Sequence, residues 1–478
     1  MSRQDTPHDR QAVVQYRDFW GSGKLRNLDD AAKATGPEYR TLEPSVDLGL
    51  TLLPQTADAE YFTWPRLPEL MPALYSGVIT ARDDALVDID RERLDSRIRV
   101  YFSDASEAEV ARVAPSLLVK NDTYDPSVAR RALQQRGFRP DFVVPYAYRP
   151  FDIRWLYWED ETTLVIRPRH EYKAQFDTSK SWLVASQRYR KSYSPPMVGH
   201  NAFAFHVIES GANVFPTSVV GQGTLIESGQ CLENVSDRAA SWLSAIGRQA
   251  RAASVMHYIV GIAHSSQYAR ENAHALVQDW SRIPLAASAG VFDQVVASGF
   301  AVDALLDVST PFSSPSRFGT LAGATGVLDP STDLGVTARW GIAGKGGVTM
   351  PSTGKLTERP YSADERAAIA KGAESLGMSA ETASALLGET CFDVYLNDIA
   401  YWRCVPANVW RYTIGGYQVI KKWLSYRERA LLGRDLKSEE ARYVTEMVRR
   451  IAALVLMQPE LDANYERVKA DVWEWGKA

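Results

Sequence analysis

From Asn397 to Arg429 the chain crowds aromatic and basic residues around one glycine pair. The run reads Asn397-Asp398-Ile399-Ala400-Tyr401-Trp402-Arg403-Cys404-Val405-Pro406, then Trp410-Arg411-Tyr412-Thr413-Ile414-Gly415-Gly416-Tyr417-Gln418-Val419, then Lys421-Lys422-Trp423-Leu424-Ser425-Tyr426-Arg427. Aromatic rings bring large apolar area that must be covered, while Arg and Lys keep their charged ends in water or against an anion. Gly415-Gly416 lets the backbone turn tightly and approach another surface closely. Any fold for this chain has to satisfy both demands within one short stretch.

At 478 residues the chain is long enough for two to four domains and a large core. Cys231, Cys391 and Cys404 form neither a Cys-x-x-Cys pair nor an even disulfide set, which suits a reducing cytoplasm and suggests no cysteine chemistry. Met1 to Arg10 is polar with no apolar core of a signal peptide, and the sequence suggests no apolar run of about 18 residues, so neither secretion nor membrane spanning is expected. The net charge of −4 excludes a uniformly basic nucleic-acid binder. Locally the balance reverses: Arg130 to Lys191 holds thirteen Lys/Arg against seven Asp/Glu, and Arg403 to Arg450 holds eleven against five. Two basic segments in an acidic chain suit a face that follows a phosphate backbone, or else two solvated charged faces.

The expected class is mixed α/β (α+β), several lobes with mixed sheets and peripheral helices. Residues 1–40 read as a linker or docking segment, 41–236 as a β-rich lobe, 237–300 as helical, 301–361 as Gly/Ser-rich loops and short strands, and 362–478 as a helical C-terminal lobe. Asp125 before Pro126 predicts an N-capped helix from Asp125 to Gln135, closed by Pro140. Aromatic and β-branched residues from Phe142 to Val165 and from Trp182 to Phe215 predict a sheet, with turns near Glu159-Asp160-Glu161 and Pro195-Pro196. The apolar repeat from 237 to 276 predicts a helix broken near Gly261, and helical patterns recur at Ser362 to Leu387 and Ser438 to Met457.

Several catalytic patterns are absent or incomplete. Ser194-Pro195-Pro196-Met197 approaches an adenine methyltransferase tetrapeptide, but Met197 gives no aromatic face and no glycine-rich S-adenosylmethionine motif precedes it. The Gly-Lys pairs at 23–24, 344–345, 354–355 and 476–477 lack the upstream glycine and following Ser/Thr of a phosphate loop. His257 and His264 have no third ligand and read as packed or capping histidines, so no metal is expected. Pro140-Asp141 with Glu171-Tyr172-Lys173 has the form of a Mg²⁺-dependent nuclease, although Pro168 disfavours a central strand before Glu171.

Four ordered motifs resemble type ISP restriction-modification enzymes. Tyr16, Asp18 and Lys24 resemble the segment that follows the methyltransferase domain there. Tyr148-Arg149-Pro150-Phe151-Asp152-Ile153-Arg154-Trp155-Leu156-Tyr157 resembles a signature of the recognition region. Tyr258-Ile259-Val260 through Ser281-Arg282-Ile283-Pro284 resembles a helix leading to an Arg-Ile-Pro exit, with Ser281 in place of Pro. The Asn397 to Arg427 run resembles the C-terminal specificity motif.

The resemblance implies the target-recognition part of an adenine-N6 DNA methyltransferase or restriction enzyme of phage defence. Its partners would be double-stranded DNA and a methyltransferase domain or subunit that carries S-adenosylmethionine, with no catalytic residue and no cofactor in this chain. Within the 148–157 signature, Phe151, Asp152 and Trp155 read as core organisers. Arginine can grip guanine and glutamine adenine, while lysine mainly neutralises phosphate. The candidate DNA contacts are therefore Arg149, Arg154, Arg167, Arg169, Lys173, Gln187, Arg188, Tyr189, Arg190, Lys191, Lys421, Lys422, Arg427 and Arg429. Two other readings stay open: a nuclease built on Asp141, Glu171 and Lys173, and a structural subunit that only supports a methyltransferase.

Overall fold

The computed structural model describes residues 13–19, 21–34, 39–42, 59–176, 181–209, 211–220, 231–309, 325–329, 333–344 and 348–477. The fold is mixed α/β, with several small sheets surrounded by helices. The first sheet runs Val87–Asp88, Asp152–Tyr157, Val143–Arg149, Ala202–Phe203, the last pair parallel and the others antiparallel. The second runs Tyr75–Ser76, Ala212–Pro216, Trp182–Ser186, Met197–Gly199, antiparallel throughout.

Where one sheet was expected between 142 and 215, there are two. Every residue of Trp182–Ser186 is buried, so that strand needs neighbours on both edges and cover on both faces. It takes Ala212–Pro216 and Met197–Gly199 as its own neighbours, and Ala202–Phe203 crosses to the first sheet between them.

The helix Pro126–Arg136 begins as its sequence predicts, Asp125 Oδ1 accepting from the Ser127 and Val128 amides at 3.0 and 3.5 Å. The 237–276 pattern resolves into Asp237–Ala245, Ala252–Ala263, Ser266–Glu271 and Ala273–Gln278. Gly261 does not break its helix. It lies where Ala252–Ala263 presses on the long helix Ala289–Leu306, so that a Cβ at Gly261 would fall 2.4 Å from the Val295 carbonyl oxygen and one at Gly299 1.7 Å from that of His257. Glycine here serves close helix contact, which outweighs its poor helix propensity.

Contrary to the sequence expectation, Ala289–Leu306 is long and apolar enough, by length and composition alone, to cross a membrane. In this fold it is a packing element, with Phe292, Val295, Val302 and Leu306 buried. The pattern expected as one helical segment from 362 to 387 is two helices, Ala363–Ser375 and Ala380–Leu387, separated at Gly377 (φ 67°) and restarted by the Ser379 cap.

A third sheet, Val327–Leu328, Tyr401–Pro406, Thr390–Tyr395, Leu356–Pro360, carries the C-terminal motif. Behind it Ser438–Leu456 buries Val444, Met447, Val448 and Ile451, and Trp402 Nε1 donates to the Ala441 carbonyl at 3.2 Å. The fully buried Arg450 donates to the carbonyls of Ala304 and Asp307 at 2.9 and 3.0 Å. Arg434 ties this part to the N-terminal lobe by two 2.9 Å bonds to Asp90.

Candidate nucleic-acid interface

The 148–157 signature is a hairpin whose turn residue Phe151 takes φ 60°, unusual for a residue with a side chain. Asp152, 1% exposed, is the centre of its charge network. Its Oδ2 accepts from Arg154 Nε and Nη2 at 3.0 and 2.8 Å, and its Oδ1 accepts from Arg427 Nη2 at 2.8 Å. Burial alone pushes the Asp152 carboxyl up, but Arg154 and Arg427 together hold it below the usual range. Tyr443 Oη donates to the Phe151 carbonyl at 2.7 Å and Arg427 stacks on Trp423 at 3.7 Å, so the C-terminal motif closes over the hairpin.

Around this pair stands a stack of rings and cations from both segments. The Arg154 guanidinium lies over Tyr148 at 3.8 Å and Tyr426 at 4.2 Å. Arg149 covers Tyr148 at 4.3 Å and Tyr417 at 5.3 Å. Lys422 sits over Tyr426 at 4.5 Å. Burial, with Arg149 and Arg154 beside it, lowers the Lys422 ammonium to about 8. Tyr148 Oη donates to Asp83 Oδ2 at 2.9 Å. Arg149, Arg154, Lys422 and Arg427 thus gather near two carboxylates, Asp83 and Asp152, leaving a local surplus of positive charge.

The glycine pair joins the loop after Trp182–Ser186 to this cluster. Gly415 and Gly416 have φ 56° and 72°, and a Cβ on Gly415 would lie 2.8 Å from the Ile208 Cα. The Gly415 amide donates to Ser194 Oγ at 2.9 Å, and the Arg190 amide to Glu209 Oε2 at 3.0 Å. The His206 ring is partly desolvated by its neighbours though its edge reaches solvent, and that desolvation first, then the Arg149 charge, lowers its pKa.

The structure therefore brings Arg149, Arg154, Lys422 and Arg427 together, with Arg154 and Arg427 committed to Asp152. Arg188, Arg190 and Lys191 are exposed on the adjoining loop, and Lys421 is half-buried on the helix Val419–Ser425. Gln187 donates to Asp279 Oδ1 at 2.9 Å, while Tyr189 is buried with its amide on the Val277 carbonyl. Arg429 pairs with Asp333 at 3.3 Å and Asp435 at 2.5 Å. Arg167 is exposed, and Arg169 is tied to the Gly77 carbonyl and Ser76 Oγ at 3.2 and 3.0 Å.

Lys173 donates to Asp160 at 2.5 Å and to the Trp158 carbonyl at 2.8 Å, and Asp141 is clasped by Arg139 at 2.8 Å. Two of the three groups needed by the nuclease reading are engaged elsewhere. Neither Asp141 nor Glu171 belongs to a cluster of three metal-ligating side chains among the described residues. Ser194-Pro195-Pro196 is a joint between lobes: besides Ser194, the Pro196 carbonyl accepts from His264 Nε2 at 2.8 Å. His257 faces away from His264 in partnership, pairing with Asp303 at 2.9 Å.

Sequence reasoning missed Asp83 and His206 as members of the cluster, because nothing near them in sequence marks them. Tyr417 and Tyr426 stood inside the conspicuous run, and their spacing about Lys422 was the available signal.

The family model for the type ISP C-terminal specificity domain matches residues 69–453. The chain belongs to this family. The specificity domain also shares its fold with solved enzyme–DNA complexes, two of them of type ISP enzymes. One is a nuclease-deletion mutant of LlaGI in complex with a DNA substrate mimic, with TM-score 0.55 and 15% identity over 95% of this chain and 39% of that one. Another is ATP-dependent LlaBIII bound to DNA, with TM-score 0.54 and 12% identity over 92% and 26%. A DrdV–DNA complex gives TM-score 0.56 and 16% identity over 98% and 43%. The specificity domain thus spans less than half the length of each of these chains. No curated protein matches it significantly.

Proposed function

We propose that this chain reads a double-stranded DNA sequence as the specificity part of a type ISP-like restriction-modification system. The observation that carries the reading is the meeting of two family motifs, far apart in sequence, in one surplus of positive charge. Arg149, Lys421 and Lys422 neutralise phosphates, and Arg188, Arg190 and Lys191 extend the same track along the neighbouring loop. Base edges are read by arginine and glutamine side chains of that loop, Gln187 after release from Asp279. DNA in the structurally similar complexes of the type ISP enzymes LlaGI and LlaBIII and of DrdV supports this assignment.

The modification served is methylation of adenine at N6, with S-adenosylmethionine held by a methyltransferase domain or subunit, in the cytoplasm. Selection from a random duplex library at two salt concentrations tests the proposal. Enrichment of one asymmetric sequence, with affinity that falls steeply as salt rises, is expected. Absence of both enrichment and salt-sensitive binding would refute autonomous reading and favour a structural subunit.

A further inference from the structure

Cys391 lies on Thr390–Tyr395 and Cys404 on the neighbouring strand Tyr401–Pro406, while Glu365 stands in the first turn of Ala363–Ser375. Their two sulfurs and a carboxylate oxygen all lie within 4.8 Å of one another, the one such group of three among the described residues. Both cysteines are buried, at 0% and 1% exposure. The pairing of the two strands shifts register between Phe392 and Val394, and opposite this irregularity Cys404 takes φ 56°.

A second observation points into the same place. Tyr361 is 5% exposed and its hydroxyl has no hydrogen-bond partner among the described residues. Burial first, then the nearby Cys404, Cys391 and Glu365, pushes this hydroxyl's pKa up. A buried hydroxyl without a partner is unfavourable, so something that can hydrogen-bond belongs beside it.

The charges also leave room for a cation. Arg359 donates to Glu365 at 2.8 and 2.9 Å and to Asp393 at 2.9 and 3.0 Å, and the half-exposed Arg403 stands 3.9 Å from Glu365, so two carboxylates and two thiols share two guanidinium groups. Asp393 Oδ1 in turn accepts from the Cys404 amide at 3.1 Å. Were both thiols ionised, the group would be strongly negative. Arg359 grips both oxygens of the Glu365 carboxylate and the Ser362 amide donates to Oε2 at 2.8 Å, which holds the carboxylate in place as outer partners of metal ligands do.

We propose that Cys391, Cys404 and Glu365 form a structural binding site for a thiophilic divalent cation, with Zn²⁺ the best match to two thiolates and one carboxylate. A tetrahedral zinc holds thiolates about 4 Å apart, consistent with the observed spacing. Both thiol protons leave to solvent as the metal–sulfur bonds form, and Glu365 binds already ionised. A water completes the tetrahedron and is the missing partner of Tyr361. The site pins two strands and a helix of the C-terminal lobe at one point. Sequence inspection passed over it because Cys391 and Cys404 sit on separate strands, in no metal-binding spacing.

The test uses the full chain. Zinc content is measured by mass spectrometry on protein purified without chelator, and the metal-free chain is titrated with Co²⁺ while the thiolate-to-cobalt charge-transfer band is recorded. One zinc per chain and a saturable band are expected. The band should survive in Cys231→Ser, vanish in Cys391→Ser and Cys404→Ser, and persist in Tyr361→Phe with affinity weaker by about tenfold. A folded wild-type chain with no zinc and no cobalt band overturns the proposal, whatever the variants do. So does a Cys391–Cys404 disulfide in the protein as purified, or an undiminished band in the Cys391→Ser/Cys404→Ser double variant.

Discussion

Asp152 and Arg427 stand 275 positions apart in the chain and meet inside it, Asp152 Oδ1 accepting from Arg427 Nη2 at 2.8 Å. With side chains 1% and 4% exposed, the pair is shut away from water. Removing one member of such a pair strands the other charge in a medium that cannot solvate it. Asp152→Asn should lower stability by about 3–5 kcal/mol, read by urea unfolding. If Asp152→Asn unfolds with the wild-type midpoint, the network does not hold the hairpin to the C-terminal motif.

Among the described residues Arg149 and Lys422 form no ion pair, and the proposed function gives them phosphates. Arg149→Ala and Lys422→Ala should each reduce the slope of log K against log salt by about 1, leaving the preferred sequence unchanged. Fluorescence anisotropy with a selected duplex measures this. Unchanged slopes in both variants would remove the cluster from the interface.

By the same proposed role, Lys422 should make DNA binding depend on pH. Its ammonium is lowered to about 8 in the free chain, and a neighbouring phosphate favours the charged form. Above about 8 the free side chain is neutral, so binding must take up a proton; below it the proton is already present. Affinity should therefore fall as pH rises through that value. Lys422→Arg, charged throughout, should flatten the profile, and a wild-type profile with no step near pH 8 would contradict the assignment.

His264 predicts loss of stability in acid. Burial lowers it to about 4, against about 6.5 for an unfolded histidine. Between these values the unfolded chain binds the extra proton, so stability is full above about 6.5 and declines as pH falls toward 4. The full contribution is about 3 kcal/mol. His264→Gln keeps a donor for the Pro196 carbonyl and removes the titration. Denaturant midpoints compared at pH 7 and pH 5 should fall less for the variant, and equal falls would exclude His264 as the cause.

Much of the local structure was legible. Asp125 and Pro126 declared a helix start because a cap and a fixed φ act within a few residues. The helix Ser438–Leu456 announced its buried face through the spacing of its apolar residues. Gly261 misled, since propensity argues for a break while the neighbouring helix requires the missing side chain. The division into two sheets was equally hidden, because strand composition does not name a strand's partner.

The sequence by itself determined the family, through the order of its motifs, and most helices and strands, through periods, caps and turns that act over short distances. Only the tertiary structure decided that Asp83 bonds Tyr148, that Arg427 is buried in a pair with Asp152, and that Cys391, Cys404 and Glu365 converge. The reason is physical: such neighbours are set by how large apolar faces stack to exclude water, and that packing is specified by the whole chain at once.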